Sequence, residues 1–493
     1  GDVYKRQEAY CARSWWPCKD DPSDKADSVN IKVSVPSQPE FIVASNGLLE
    51  STEVNGDKRT FFWKERYPIT TYLVSLAIYP YTIWSEQYIS PISNDTMAIE
   101  HYVFPDRYES SYPNYSLTGE MLSFFSNLFG EYPFISEKYG HADFKWGGGM
   151  EHQTLSSMGS FSQNLIVHEL GHSWWGNLIT CKTFNDIWLN EGFARYCQAL
   201  WVENIDGKQA YFNFMNDHAY YGGGTVYVEN PSSNSQIFNS SLSYNKASWV
   251  LHMLRHKVGD EMFFEILKEY ASNDSLAYNA ASTADFQKVC EDISGMDFEQ
   301  FFQQWIYGDR YPKYELSWWS EENDIYKVKI DQIQSYGIFS MPIDLNFSGS
   351  VGPLSVDTTI VVENNTASHL YEISGLDFFV ENVTIDPDNW ILKEATYVTN
   401  GIENIVAKQI NVDIAYPNPF NSTSNLNFYI HPKFGDLLVE INVLDAKGRI
   451  VESIVKKEFN PGFHTQLWNA KGKPSGIYSV SYTHLTLPTI LLV

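Results

Sequence analysis

Between residues 8 and 105, apolar and polar side chains alternate over short runs: SVNIKVSVP, EFIVASNG, RTFFWKE and TTYLVSLAIY. A period of two puts one face of a strand on a core, so this stretch predicts strands joined by turns. From about residue 118 the period lengthens. GEMLSFFSNLF, SQNLIVHELGHSWWGNL, FNDIWLNEGFARYCQALW, SYNKASWVLHMLRHKV, DEMFFEILKEYA and DFEQFFQQWI repeat their apolar positions every three or four residues, as one face of a helix does. Near Pro312 the alternation returns in YELSWW, IYKVKIDQIQ, PIDLNF, TTIVVE and FFVENVTI. A linker at 400–407 leads to INVLD, GRIVESIV and GIYSVSY, a second β unit. The order is β, mainly α, β, β. It predicts a multidomain α+β protein with a partial β domain at 8–105, a mainly helical domain at 106–312, a β-sandwich at 313–400 and a further β module at 408–482.

Composition narrows the partners. The chain has 493 residues, enough for roughly three or four domains. A formal charge of −26 repels phosphate backbones, so no nucleic-acid partner is expected. No apolar run reaches transmembrane length. The five cysteines, Cys11, Cys18, Cys181, Cys197 and Cys290, form no CxxC pair and no disulfide framework. Cys11 with Cys18 and Cys181 with Cys197 are the pairs that could bridge. Both ends, GDVYKRQ at 1–7 and THLTLPTILLV at 483–493, resemble translated sequencing-adapter read-through and are left out of the fold reading as non-native.

The chemistry concentrates in LIVHELGHSWWG at 165–176. His168 and His172 are four apart and share one helix face. Two neutral imidazoles at that spacing hold Zn²⁺, with Glu169 between them as general base. A second helix follows with WLNEGFARY. Its Glu191 comes after eighteen intervening residues, room for a turn and a return helix. That supplies a third, oxygen ligand and leaves the fourth position of the ion open, as catalysis needs. Upstream, residues 147–154 read GGGMEHQT, a flexible backbone beside a charged pair. Glycine there marks a bulge or a close approach by a ligand or another backbone.

HELGH, then NEGFA at this distance, with GGGMEHQ upstream, resembles the aminopeptidase N family of gluzincin zinc peptidases, related to leukotriene hydrolases. The resemblance covers about residues 8–400 and implies a thermolysin-like catalytic domain at 106–312 with one Zn²⁺ on His168, His172 and Glu191. It implies that Gly148, Gly149 and Met150 lie on an edge strand that pairs with an extended substrate, and that Glu151 binds the substrate's free α-amine. Met150 would line the pocket for the first side chain. His152 stands where the family commonly has Asn. A second amine-binding acid falls on Glu8, five before Arg13 in EAYCARSWWPC. The family's oxyanion-donating tyrosine, in a pattern like Y-x-K-G-A-x-V-L, falls on Tyr244 of YNKASWVLHML, with Ala247 in place of the usual Gly.

The last module, AYPNPFN through VLDAKGRIV, NPGFHTQLW and SGIYSVSY, resembles the C-terminal sorting domain of cargo for the type IX secretion system, an immunoglobulin-like β-sandwich. The resemblance implies the type IX machinery as a partner. The protein would then leave a Gram-negative bacterium through the periplasm and end secreted or on the cell surface. The expected activity is removal of the N-terminal residue from peptides with a free N-terminus by a zinc-activated water. The alternatives are a thermolysin-like zinc endopeptidase, for which Glu151 would be incidental, and a non-catalytic, zinc-containing surface binding protein.

Overall fold

The computed structural model describes residues 9–321, 325–351, 354–398, 410–412, 415–420, 422–430 and 435–484. The chain divides into two compact units. One holds the chain through Leu316 with Val328–Tyr371 and Leu376–Tyr397; the other holds Ser317–Lys327, Glu372–Gly375 and the chain from Val398.

The first unit begins with a three-stranded sheet ordered Val29–Pro36, Lys58–Glu65, Leu48–Asn55. Its middle strand, KRTFFWKE, buries Phe61, Trp63 and Glu65 on one face, as the alternation requires. A five-stranded sheet follows in the order Thr82–Ile89, Thr96–Val103, Lys138–Asp143, Ser156–Met158, Gly149–Met150. This sheet crosses the boundary that the alternation suggested at 105. The hairpin 82–103 is hydrogen-bonded to Lys138–Asp143, a strand of the helical region.

Its middle strand, KYGHAD, has no apolar alternation because both faces are buried along its whole length. Each polar side chain has a partner instead. The Lys138 ammonium donates to Ser45 O at 3.0 Å and Thr154 O at 3.3 Å. Asp143 accepts from Tyr115 Oη at 3.0 Å, and the Nδ1 atoms of His141 and His101 meet at 3.0 Å. Gly140 is needed for close packing, since a Cβ there would fall 2.0 Å from Glu100 O.

The helices Thr118–Phe129, Gln163–Gly171, Trp188–Asp206, Ala247–Val258, Asp260–Ser272 and Glu299–Trp305 occupy the segments of helical period. Two end sooner or change form. The HELGH helix stops at Gly171, with His172 as its cap. SYNK belongs to a π-helical turn, Ser240–Lys246, ahead of Ala247. Small residues let these helices approach. A Cβ on Gly171 would stand 3.0 Å from Cys197 Sγ, and one on Gly192 would stand 2.5 Å from Ala247 Cβ. The glycines of HELGH and NEGFA therefore seat one helix against the next.

After Pro312, two sheets are ordered Ser368–Ile373, Ile325–Gln332, Lys313–Glu321, Glu394–Tyr397 and Leu354–Asn364, Met341–Val351, Phe379–Ile385. In the second unit the C-terminal module is a sandwich of two three-stranded sheets. They are ordered Ile410–Val412, Thr423–Ile430, Gly462–Asn469 and Ile450–Phe459, Leu437–Asp445, Tyr478–His484. Leu426, Phe428, Val439, Ile441, Phe459 and Trp468 fill its core. None of the five cysteines is in a disulfide, so neither Cys11–Cys18 nor Cys181–Cys197 is bridged. Cys181 instead lies buried on the short strand Ile179–Cys181, and Cys197 packs on Gly171. No helix among the described residues is long and apolar enough to cross a membrane.

Candidate metal and substrate site

The helix Gln163–Gly171 starts where Ser162 accepts from the Leu165 N–H, and it carries His168 and Glu169 to the wall of a cavity. His172, at its end, donates from Nδ1 to Trp175 O at 2.9 Å. That bond fixes the tautomer and leaves the Nε2 lone pair free, as metal-binding histidines require. Glu191 enters from the first turn of Trp188–Asp206.

Three acceptor atoms then meet. His172 Nε2 lies 3.2 Å from His168 Nε2 and 3.3 Å from Glu191 Oε2, and His168 Nε2 lies 3.4 Å from the same oxygen. Donors ~2.0–2.1 Å from a tetrahedral zinc stand about 3.3 Å from one another, so this triangle has the edges that a zinc ion imposes. The charge balance agrees. Burial works to lower the His172 pKa, yet Glu151, Glu191 and Glu169 outweigh it and push it up to about 10. Burial likewise works to raise Glu191, and His172 and His168 hold it down to about 2. Buried carboxylates around these two imidazoles favour positive charge at this point, and the three ligand atoms have the spacing and chemistry to hold a zinc ion.

Glu169 is 3% exposed, and its Oε2 has no hydrogen-bond partner among the described residues. Burial, together with Glu151 and Glu191, raises its pKa well above the carboxylate range, with only His172 opposing. A carboxyl so placed is poised to take a proton. Gly149 makes room for it, since a Cβ there would fall 2.2 Å from Glu169 Oε1. The glycine run thus has separable reasons. Gly149 leaves space for Glu169, and Gly148 adopts φ +90°, which suits glycine.

Gly149–Met150 is the edge strand of its sheet, with Met150 paired to Ser157 and Gly149 to Met158. Glu151 follows at once, 7% exposed, and its carboxylate lies with those of Glu169 and His172 Nε2 or Nδ1 in a group whose ligand atoms are within 4.8 Å of one another. Among the described residues no Lys or Arg forms an ion pair with it. Burial raises its pKa, His172 opposes, and Glu191 adds to the rise. The loop after it is pinned at successive carbonyls. Asn177 Nδ2 donates to Glu151 O at 2.9 Å, Asn46 Nδ2 to Gln153 O at 2.6 Å, and Lys138 to Thr154 O. His152 Nδ1 meets Ser157 Oγ at 2.9 Å.

The Tyr244 ring stacks on His168 with centroids 5.9 Å apart. Burial raises its pKa well above the usual phenol value, and Glu191, Glu151 and Glu169 add to the rise, so the hydroxyl stays protonated. A cavity of about 220 Å³ joins these groups. Tyr72, Trp146, Met150, Phe184, Ile187 and Phe238 form its more apolar walls. Glu8 lies outside the described residues.

Tyr72 has no counterpart in the motif reading. It is 7% exposed, lines the cavity and accepts from Asn190 Nδ2 at 3.2 Å. Its only sequence signal was membership of the apolar run TTYLVSLAIY. Lys25 was equally silent. Its half-buried amine donates to Asn177 O at 2.7 Å and Leu178 O at 2.9 Å, bracing the loop that holds Glu151.

Comparison with known proteins places this geometry. Residues 119–305 match the peptidase family M1 domain, residues 5–73 the peptidase M1 N-terminal domain, and residues 414–488 a secretion system C-terminal sorting domain. The chain is 27% identical over 334 residues to aminopeptidase M1-C of Oryza sativa subsp. japonica, covering 62% of this chain and 37% of that protein. It is 27% identical over 340 residues to glutamyl aminopeptidase of Rattus norvegicus, covering 62% and 34%. It therefore spans little more than a third of the length of these relatives. Legionella pneumophila aminopeptidase A, solved with aspartic acid, shares the fold at TM-score 0.71 and 16% identity, covering 80% of this chain and 47% of that one. A mutant M1 zinc metallopeptidase from Deinococcus radiodurans, solved with a Tyr-Ser-Ala substrate, is similar at TM-score 0.52 and 26% identity, covering 61% and 68%. The HELGH helix, the NEGFA helix and the edge strand thus lie within the residues that match the peptidase family M1 domain, with the M1 N-terminal match before them and the secretion sorting match after them.

Proposed function

We propose that this chain is a zinc-dependent aminopeptidase that removes the first residue from peptides with a free N-terminus. The observation that carries the reading is Glu151. It is a buried carboxylate at the end of an edge strand, beside Glu169 and His172, with no Lys or Arg ion pair among the described residues. A buried charge left so is expensive, and a substrate ammonium compensates it. A thermolysin-like endopeptidase would have no use for that carboxylate.

His168, His172 and Glu191 would hold one zinc ion. When bound, zinc supplies Lewis acidity toward a water and a carbonyl oxygen. Glu169 takes the proton of the attacking water and returns it to the leaving nitrogen. The Tyr244 hydroxyl donates to the carbonyl oxygen as negative charge grows on it. Glu151 fixes the ammonium one residue from the scissile bond, with Gly148, Gly149 and Met150 offering backbone and pocket wall to the extended peptide. Glu8 is a further candidate for the ammonium. The sorting domain suits export through the periplasm by a type IX secretion system, to the surface of a Gram-negative bacterium or beyond it.

Incubation with an unblocked peptide of mixed sequence, followed by mass spectrometry, tests the activity. Stepwise loss of N-terminal residues is expected, and internal cuts would overturn the reading. Two variants probe the site. His168→Ala should bind zinc substoichiometrically in elemental analysis, because two of three ligands remain; full zinc content would remove His168 from the ligand set. Tyr244→Phe should lower kcat about a hundredfold with little change in KM, since the hydroxyl acts only once the oxyanion forms. An unchanged kcat would make Tyr244 a packing residue.

A further inference from the structure

Tyr244 does not sit on an ordinary helical turn. Ser240–Lys246 is π-helical and runs directly into the helix Ala247–Val258. Such turns are rare, occur singly and gather at functional sites. The wider turn needs fastening at both ends. At its start, Asn239 Oδ1 accepts from the N–H of Ser241 at 3.0 Å and of Leu242 at 3.2 Å. Within it, Ser243 Oγ donates to Ile237 O at 2.8 Å.

Lys246 holds the other end. It is 1% exposed, and its ammonium donates to Gly224 O at 2.9 Å and Gly308 O at 3.2 Å. Asp309 closes this seat, its Oδ1 accepting from Gly224 N at 2.5 Å. Gly224 has φ +112°, and a Cβ there would fall 2.8 Å from Leu242 Cδ1 in the same turn, so the glycine loop packs directly on it. Burying an ammonium is costly unless its partners are in place, whereas packing alone would be served by an apolar side chain. Lys246 does not line the cavity, but Tyr244, two residues before it, does.

We infer that Lys246 is a positioning residue for Tyr244: its ammonium, clamped between the Gly224 and Gly308 carbonyls, fixes the π-turn and so aims the Tyr244 hydroxyl at the substrate carbonyl. The inference rests on the reading of Tyr244 as the hydroxyl donor. Residues that act through one another are non-additive, and a double-mutant cycle reads this directly. Lys246→Met should lower kcat about tenfold with KM changed less than about twofold, and should lower it no further in a Tyr244→Phe background. A merely structural lysine would give the same fold-loss in both backgrounds, and that result would overturn the inference.

A readout that needs no turnover accompanies it. Amide hydrogen exchange in Lys246→Met should be faster over 240–246 and unchanged over 163–171. Unchanged exchange over 240–246 would overturn the inference whatever the activity. Faster exchange there, with a normal kcat for Tyr244→Phe alone, would support the clamp and remove Tyr244 from the reaction. Should Lys246→Met not fold, Gly224→Ala shifts one carbonyl of the seat from the loop side. It should show the same non-additive loss, and additivity there would overturn the clamp.

Discussion

Glu169→Gln is expected to keep its zinc, its fold and its affinity for peptides and to lose turnover by a factor of about a thousand or more. Gln fills the volume of Glu, so the close fit beside Gly149, where a Cβ would stand 2.2 Å from Oε1, is kept. What disappears is the site that takes a proton and gives it back. General acid–base catalysis by one positioned group contributes ~10²–10⁴-fold, and here one carboxylate serves both transfers. His168 and His172 flank the position and are unchanged, so metal analysis should match the intact protein. A rate within tenfold of the intact protein, with zinc retained, would mean that another group moves the proton.

The second large effect is expected at Glu151. Glu151→Ala should lower kcat/KM for an aminoacyl anilide by about a hundredfold or more, because removing one member of a buried, hydrogen-bonded charge pair costs ~3–5 kcal/mol. The loss should fall on substrates with a free amine, since the carboxylate recognises nothing else. Zinc content should stay near that of the intact protein, as Glu151 is not one of the three atoms in the His168, His172, Glu191 triangle. Equal loss on N-acetylated and free substrates would point to a displaced loop, and a kcat/KM within threefold of normal would separate Glu151 from the amine.

The meeting of His168, His172 and Glu191 was legible because its spacing is local. A helix places His168 and His172 one turn apart, and a short return brings Glu191 to them. The strands and the helical segments were legible where one face is buried and the other is not. The pattern weakened where that asymmetry ends. KYGHAD is buried on both faces and reads as polar, because Lys138, His141 and Asp143 find their partners in Ser45, Thr154, His101 and Tyr115. Periodicity also could not show that the HELGH helix ends at Gly171, with His172 at its cap and its Nδ1 bonded to Trp175 O. Tyr72 and Lys25 join the site through Asn190 and Asn177, far along the chain, and no local pattern encodes such a meeting. The glycine loop at 222–224 was silent for the same reason, since its role appears only when Lys246 reaches it.

The most direct test compares one substrate with its blocked form. The intact protein should cleave an aminoacyl anilide with a kcat/KM about a hundredfold or more above that for its N-acetyl derivative. Acetylation removes the ammonium and leaves the Glu151 carboxylate buried without its partner. Equal cleavage of the two would mean that the pocket does not recognise a free N-terminus, and the aminopeptidase reading would be wrong.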